Sequence, residues 1–276
     1  MQRANYQFYD GLFDKLIFIP VEINGFHVTA MFDTGAAISI IANSLARKIK
    51  ACVIENPLTA VNNNGKSFRI EKAAVSSINL GGITIENAVS GIIPDDYFDF
   101  GVDGNGKTFP AQMFLGWDII SRFYWRIDKK NKSYCILKDG PVKANNLFYT
   151  DYPVIKLTYG TEPLFFGFDT GHTETILDKT WHTRLDNLKP AETETRGVGS
   201  SRTERAFVTH NLALQYEKVI FNLNYATVLP NAVFGVKNNS VAGLLGIDFF
   251  ENTAFEIDFK NRYFCLLYTS DAADDL

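Results

Sequence analysis

Cysteine is scarce in this 276-residue chain: Cys52, Cys135 and Cys265 make an odd set without a CxxC pair. That pattern argues against a disulfide framework or a zinc site and leaves three free thiols as the expectation. Histidine is also sparse, and His27, His172, His182 and His210 form no triad pattern. No GxSxG is present, so a serine-hydrolase elbow has no support. No GxGxxG or P-loop follows a strand, so nucleotide binding lacks its cradle. No run of 18 apolar residues exists, and no membrane-spanning helix is expected. Met1 to Asp14 lacks the apolar region of a secretory signal. A soluble protein follows, either cytoplasmic or exported by a signal that this chain does not carry. Basic excess is missing too: the net charge of −4 argues against nucleic acid as a partner.

What the chain does have is apolar and aromatic residues. Apolar types make up 46%, enough for a sizeable core, and 23 Phe with 12 Tyr favour strands. The sequence also repeats itself once. Leu16 to Ile23, the turn Asn24-Gly25 and Phe26 to Phe32 read as a hairpin. Val154 to Tyr159, a turn at Gly160 to Pro163 and Leu164 to Phe168 form its counterpart. Each hairpin runs into Phe-Asp-Thr-Gly, first at Phe32 to Gly35 and again at Phe168 to Gly171. Phe114-Leu115-Gly116-Trp117-Asp118 then matches Leu244-Leu245-Gly246-Ile247-Asp248. Closing strands follow at Trp125 to Lys129 and Phe255 to Phe259. The interval from Asp33 to Gly116 is 83 residues, against 77 from Asp169 to Gly246.

This pattern predicts an all-β fold of two homologous barrel-like lobes with few short helices. The expected divisions are an N-terminal lobe over 1–137, a linker over 138–150 containing Gly140-Pro141, and a C-terminal lobe over 151–267. Helices are expected over Asn43 to Lys50, capped by Asn43 or Ser44, and over Leu177 to Leu185. Residues 265–276 read as a foreign tail. Cys265 to Asp274 resembles a translated sequencing-library adapter, which puts the natural end near Phe264.

One Asp-Thr-Gly is an ordinary β-turn sequence. Two, at matching places in a repeat and each after an apolar strand, point to chemistry. Each turn presents one carboxylate, glycine lets the backbone approach closely, and the threonine hydroxyl can brace the opposite turn. Halves meeting across a pseudo-two-fold axis bring Asp33 and Asp169 together. Carboxylates that close share one proton, so one serves as general base toward water and the other as general acid.

On Asp33-Thr34-Gly35-Ala36, Asp169-Thr170-Gly171 and the two apolar-apolar-Gly elements, the chain resembles the aspartic peptidases. Within them it resembles the retropepsin-like bacterial form with two halves in one chain, over about residues 15 to 264. The resemblance implies a β-barrel-like lobe per half, a six-stranded interface and a cleft between lobes. It also implies endopeptidase activity by activated water on an extended peptide, with Asp33 and Asp169 catalytic and Thr34, Gly35, Thr170 and Gly171 supporting. No metal, other cofactor or covalent intermediate is implied, and a monomer suffices for one active site.

The sequence departs from that pattern at His172, where the family has a small residue or a hydroxyl; Thr173 follows it. A histidine there is either a modulator of the pair or a ring turned to solvent or a nearby loop. Flap candidates are the hairpins around Asn63, Asn64 and Gly65 and around Gly199 and Ser200. Neither carries a tyrosine, although Phe68 is close to the first. Asp95 to Pro110 reads as an inserted, solvated acidic loop whose aspartates, Asp95, Asp96, Asp99 and Asp103, do not match an EF-hand. Two further readings stay open: a peptide-binding protein of weak or no activity on the same scaffold, and a processing enzyme with one narrow substrate.

Overall fold

Asn24 and Gly25 turn the chain with φ of 48° and 80°, the paired left-handed conformation that suits a tight hairpin. The turn sets the register Ile23↔Phe26 through Phe18↔Met31. In the counterpart hairpin the turn is tighter than expected. Only Gly160 and Thr161 lie outside the strands, and Tyr159 pairs directly with Glu162. Gly160 takes φ of 59° there, so Glu162 and Pro163 already belong to the returning strand.

The computed structural model describes residues 3–5, 13, 15–61, 66–102, 106–149, 152–232, 234, 241–251 and 253–267. Its N-terminal half runs β1 (Arg3–Asn5), β2 (Phe18–Ile23), β3 (Phe26–Phe32), β4 (Ile40–Ala42), α1 (Asn43–Lys48), β5 (Cys52–Val61), β6 (Ser67–Leu80), β7 (Ile83–Ile93), β8 (Met113–Leu115), α2 (Trp117–Ile120), β9 (Tyr124–Asp128) and β10 (Ser133–Leu137). The C-terminal half runs β11 (Phe148–Tyr149), β12 (Pro153–Tyr159), β13 (Glu162–Phe168), β14 (Ile176–Leu177), β15 (Lys189–Gly197), β16 (Ser200–Thr209), β17 (Leu212–Tyr216), β18 (Val219–Leu223), β19 (Ala226–Val228), β20 (Gly243–Leu245), β21 (Ala254–Asp258) and β22 (Tyr263–Leu267). The fold is all-β with two barrel-like lobes. No helix is long and apolar enough to cross a membrane among the described residues.

The first lobe closes. Its strands follow the order β2-β3-β8-β4-β7-β6, and β6 returns to β2 at Glu22↔Asn79 and Ile23↔Ile78. The second lobe repeats the order β12-β13-β20-β14-β19. Its counterpart of β6 is broken into β16 and β17 at His210 and Asn211, where Asn211 has φ of 58°. The closing contact shrinks to Thr158↔Gln215, leaving a half-barrel.

A third sheet joins the halves in the order β1-β10-β9-β21-β22. Among the described residues this sheet has five strands, where the resemblance implies a six-stranded interface. The missing edge beside β22 is taken by irregular backbone. Ala144 donates to the Asn261 carbonyl, and Asn146 and Leu147 donate to that of Arg262. The Asn146 side chain then does what a strand backbone would: its Nδ2 donates to the Phe264 carbonyl and its Oδ1 accepts from the Phe264 N–H, both at 2.9 Å. Segment 138–150 is thus docked in part. Cys265 to Leu267 complete β22, and Leu266 is buried opposite Phe255. Residues 268–276 lie outside the described residues.

The helices need two corrections. Helix α1 ends at Lys48, and Ala42 precedes it with no side-chain cap. The cap comes from a distance, because Asp95 accepts from both the backbone N–H and the hydroxyl of Ser44. The acidic loop is therefore more than solvated charge: Asp95 opens a 3-10 turn, Asp95–Phe98, and ties it to the helix. Asp103 lies outside the described residues. The expected helix over 177–185 is a single 3-10 turn, Lys179–Thr183, started by Asp178, which accepts from Thr180. Trp181 explains the tight turn: it is fully buried and donates from Nε1 to the Ala242 carbonyl at 2.7 Å. Short 3-10 pieces suit such a seat.

Candidate active site

Both Asp-Thr-Gly turns leave the same kind of strand pair. Strand β3 lies parallel to β8, with Phe32 opposite Leu115. Strand β13 lies parallel to β20, with Phe168 opposite Leu245. The Asp33 N–H donates to the Leu115 carbonyl at 3.0 Å, and that of Asp169 to the Leu245 carbonyl at 2.9 Å. The threonines lock the turns to each other. Thr34 Oγ1 donates to the Phe168 carbonyl and accepts from Thr170 N–H. Thr170 Oγ1 donates to the Phe32 carbonyl at 2.7 Å and accepts from Thr34 N–H. Both threonines are buried, so four bonds shielded from water fix the two aspartates relative to one another.

The glycines make the approach possible. A Cβ on Gly35 would stand 2.3 Å from the Asp169 carboxylate, and one on Gly171 would stand 2.7 Å from that of Asp33. Each carboxylate therefore lies directly against the opposite turn. Asp33 Oδ1 accepts from Gly35 and Ala36 N–H, at 2.9 and 3.0 Å. Asp169 Oδ1 accepts from Gly171 N–H at 2.8 Å. The amide after it goes elsewhere, because His172 N–H donates to the Asp169 backbone carbonyl. Burial first, then the charge of Asp169 and a hydrogen bond with it, hold Asp33 well above the usual carboxylate range; its two amide donors pull the other way.

Behind each turn stands a brace that sequence reasoning left without a role. Ser39 Oγ accepts from Gly116 N–H and donates to Asp118, which also accepts from Ser39 N–H. Thr175 and Asp248 repeat this around Gly246. Burial raises both Asp118 and Asp248, against the lowering hydrogen bonds they accept. The signal was present in the repeat: a hydroxyl six residues after each motif aspartate, and an aspartate two residues after each glycine.

His172 turns toward its own loop. Its Nδ1 lies 2.6 Å from the Glu174 carbonyl and 3.4 Å from the Glu174 backbone nitrogen. The ring is also near enough to Asp248 to lower it. No hydrogen bond links the His172 ring to Asp33 or Asp169 among the described residues. Thr173 lines a cavity beside the second turn.

Of the two flap candidates, Asn63, Asn64 and Gly65 lie outside the described residues. Gly199 and Ser200 sit at the turn of the β15–β16 hairpin. That hairpin reaches across to the first half. Arg196 Nη1 donates to the Phe100 carbonyl at 3.0 Å, and Gly199 lies so close to the Tyr97 ring that a Cβ would stand 2.7 Å from it. Phe68, on the other hairpin, meets Tyr97 edge-on at 5.4 Å. Both hairpins thus rest on one aromatic residue of the acidic loop. Tyr97 and Arg196 were not foreseen, since only the folded pairing brings them together.

A family model described as "gag-polyprotein putative aspartyl protease" matches residues 19–122. The matched stretch contains the first Asp-Thr-Gly and Phe114-Leu115-Gly116. No curated protein matches the chain. The match supports the aspartic peptidase family for this protein, on the half that carries Asp33.

Proposed function

We propose that the protein is an aspartic endopeptidase that cleaves peptide bonds with a water held between Asp33 and Asp169. The observation that carries this reading is the cross-bonded pair of Asp-Thr-Gly turns, each carboxylate packed on the opposite glycine. The raised Asp33 supports a pair that keeps one proton. In the proposed cycle the ionised carboxylate takes a proton from the water as its oxygen bonds to the peptide carbon. The protonated carboxyl gives its proton to the carbonyl oxygen. On collapse the diol returns a proton to the ionised carboxylate, the C–N bond breaks, and the nitrogen leaves with a proton from the other carboxyl. The pair ends with one proton, as it began. One chain supplies both aspartates, so a monomer is sufficient, and the cleft takes the peptide extended.

Cleavage of a diverse peptide library from acid to neutral pH tests this. Wild type is expected to cut, and Asp33→Asn and Asp169→Asn each to lose roughly a thousandfold or more while staying folded. Activity that survives in either variant contradicts the mechanism. A folded wild type that cuts nothing supports the second reading, a peptide-binding protein. The single amide donor at Asp169, against two at Asp33, is the observation that favours that alternative.

A further inference from the structure

A second cavity, of about 220 Å³, lies on the flank of the first lobe and shares no lining residue with the one beside the second turn. Leu58 on β5, Lys72 on β6 and Val89 on β7 line it, together with Ile38, Asp118 and Arg122. Its aliphatic side is open to water: Leu58 is 38% and Val89 45% exposed. Exposed apolar side chains around a concavity mark a surface that a ligand can cover.

The charge beside them is positive. Lys72 makes no side-chain hydrogen bond or ion pair among the described residues. Arg122 Nε donates to the Asp118 backbone carbonyl at 2.7 Å, which seats the guanidinium next to a lining residue. Arg122 is in no ion pair among the described residues. Asp118 is the single carboxylate on the lining. Its Oδ1 is already engaged, accepting from the N–H and the hydroxyl of Ser39, both at 2.7 Å. Two cations against one engaged carboxylate leave a net positive charge beside an aliphatic surface.

The fold does not demand this arrangement, because the repeat lacks it. Gly116 packs on Ile38 as Gly246 packs on Glu174. Gly91 and Thr227 correspond, since their N–H groups donate to the Ser39 and Thr175 carbonyls. Lys72 pairs with Gly91, and Val208 pairs with Thr227. Six residues after Gly116 and Gly246 stand Arg122 and Asn252. The second half thus has Val208, Asn252 and Glu174 in place of Lys72, Arg122 and Ile38. Both cations are gone and an acid is added.

We propose that the cavity binds a small aliphatic carboxylate, with its chain on Ile38, Leu58 and Val89 and its carboxylate between Lys72 and Arg122. The volume falls below the roughly 300–1,000 Å³ of ordinary ligand pockets, which suits a branched acid of about five carbons. The guanidinium and the ammonium supply charge-assisted hydrogen bonds to the two oxygens. Ile38 and Asp118 also belong to the brace behind the first turn, so the occupant rests against the loop that carries Asp33. This site stands apart from the peptidase reading, because its binding is measured without cleavage.

The test is isothermal titration calorimetry of the full chain with isovalerate at constant ionic strength. Wild type is expected to bind it with a Kd of about a millimolar. Acetate, which lacks the chain, and isovaleramide, which lacks the charge, are each expected to bind at least about tenfold more weakly. Lys72→Gln and Arg122→Gln are each expected to weaken isovalerate about tenfold, with melting temperatures unchanged. Val89→Ser is expected to narrow the margin over acetate to about threefold. Lys156→Gln, an exposed cation on the other lobe, is expected to change nothing. N-acetyl-leucine carries the same branched chain on a peptide-like C-terminus and is expected to bind more weakly than isovalerate; tighter binding overturns a free acid as the ligand. Absence of binding overturns the site, as do acetate binding as tight as isovalerate and affinity untouched by both Lys72→Gln and Arg122→Gln.

Discussion

At the scale of single residues, Asp33 carries a measurable cost. Burial and the neighbouring Asp169 raise it above the ordinary 3.8. The folded chain therefore holds a proton there that the unfolded chain has already released. From pH 3.8 up to the raised folded value, this group lowers stability as pH rises, and the loss persists above that value. Asp33→Asn removes the effect. Its melting temperature is predicted to exceed that of wild type at neutral pH and to converge with it below pH 3.8. A shift of equal size at both pH values, followed by circular dichroism, contradicts this origin. Thr170→Val takes away one donor and one acceptor of the turn lock and is predicted to lower stability by about 1–3 kcal/mol in denaturant titration. The aspartates, threonines and glycines of the turns were readable because each motif is three adjacent residues, repeated. Tyr97 and Arg196 were not. Their meaning comes from partners far along the chain, and a lone Tyr or Arg carries no local sign of that.

At the scale of elements, the two glycines after the apolar pairs explain why the braces close so tightly. A Cβ on Gly246 would stand 2.5 Å from the Glu174 backbone, and one on Gly116 would stand 2.5 Å from that of Ile38. Backbone cannot yield as a side-chain tip can. Gly246→Ala is predicted to cost roughly 3 kcal/mol and to reduce cleavage by displacing the loop that carries Asp169. An unchanged denaturation midpoint contradicts that role. Arg196 belongs to this scale too, since it ties the β15–β16 hairpin to the acidic loop. Arg196→Ala is predicted to raise KM more than it lowers kcat, and the reverse split in steady-state kinetics counts against the tie. Strands were legible from alternation and turn residues. The short helices were misjudged because their ends answer to distant groups: Asp95 caps α1 from across a loop, and the buried Trp181 tightens the second one into a 3-10 turn.

At the scale of the whole molecule, the repeat predicts symmetry and the structure departs from it in a consistent direction. The first lobe is a closed barrel and the second is a half-barrel, opened where Asn211 bends the long strand. The interface sheet has one irregular edge, held by the Asn146 amide at Phe264. Such asymmetry leaves little trace in motif spacing, because it arises from single residues that interrupt an otherwise repeated strand. What stays symmetric is the centre, where the threonine lock and the braces recur in both halves and the turns differ by one amide donor. That contrast is expected if the two aspartates act as one unit while the lobes around them diverge. The measurement that tests this most directly compares kcat/KM for Asp33→Asn, Asp169→Asn and the double variant on one peptide. A single unit predicts that each single variant loses nearly as much as the double. Losses that multiply, or one single variant that keeps substantial activity, contradict a shared dyad.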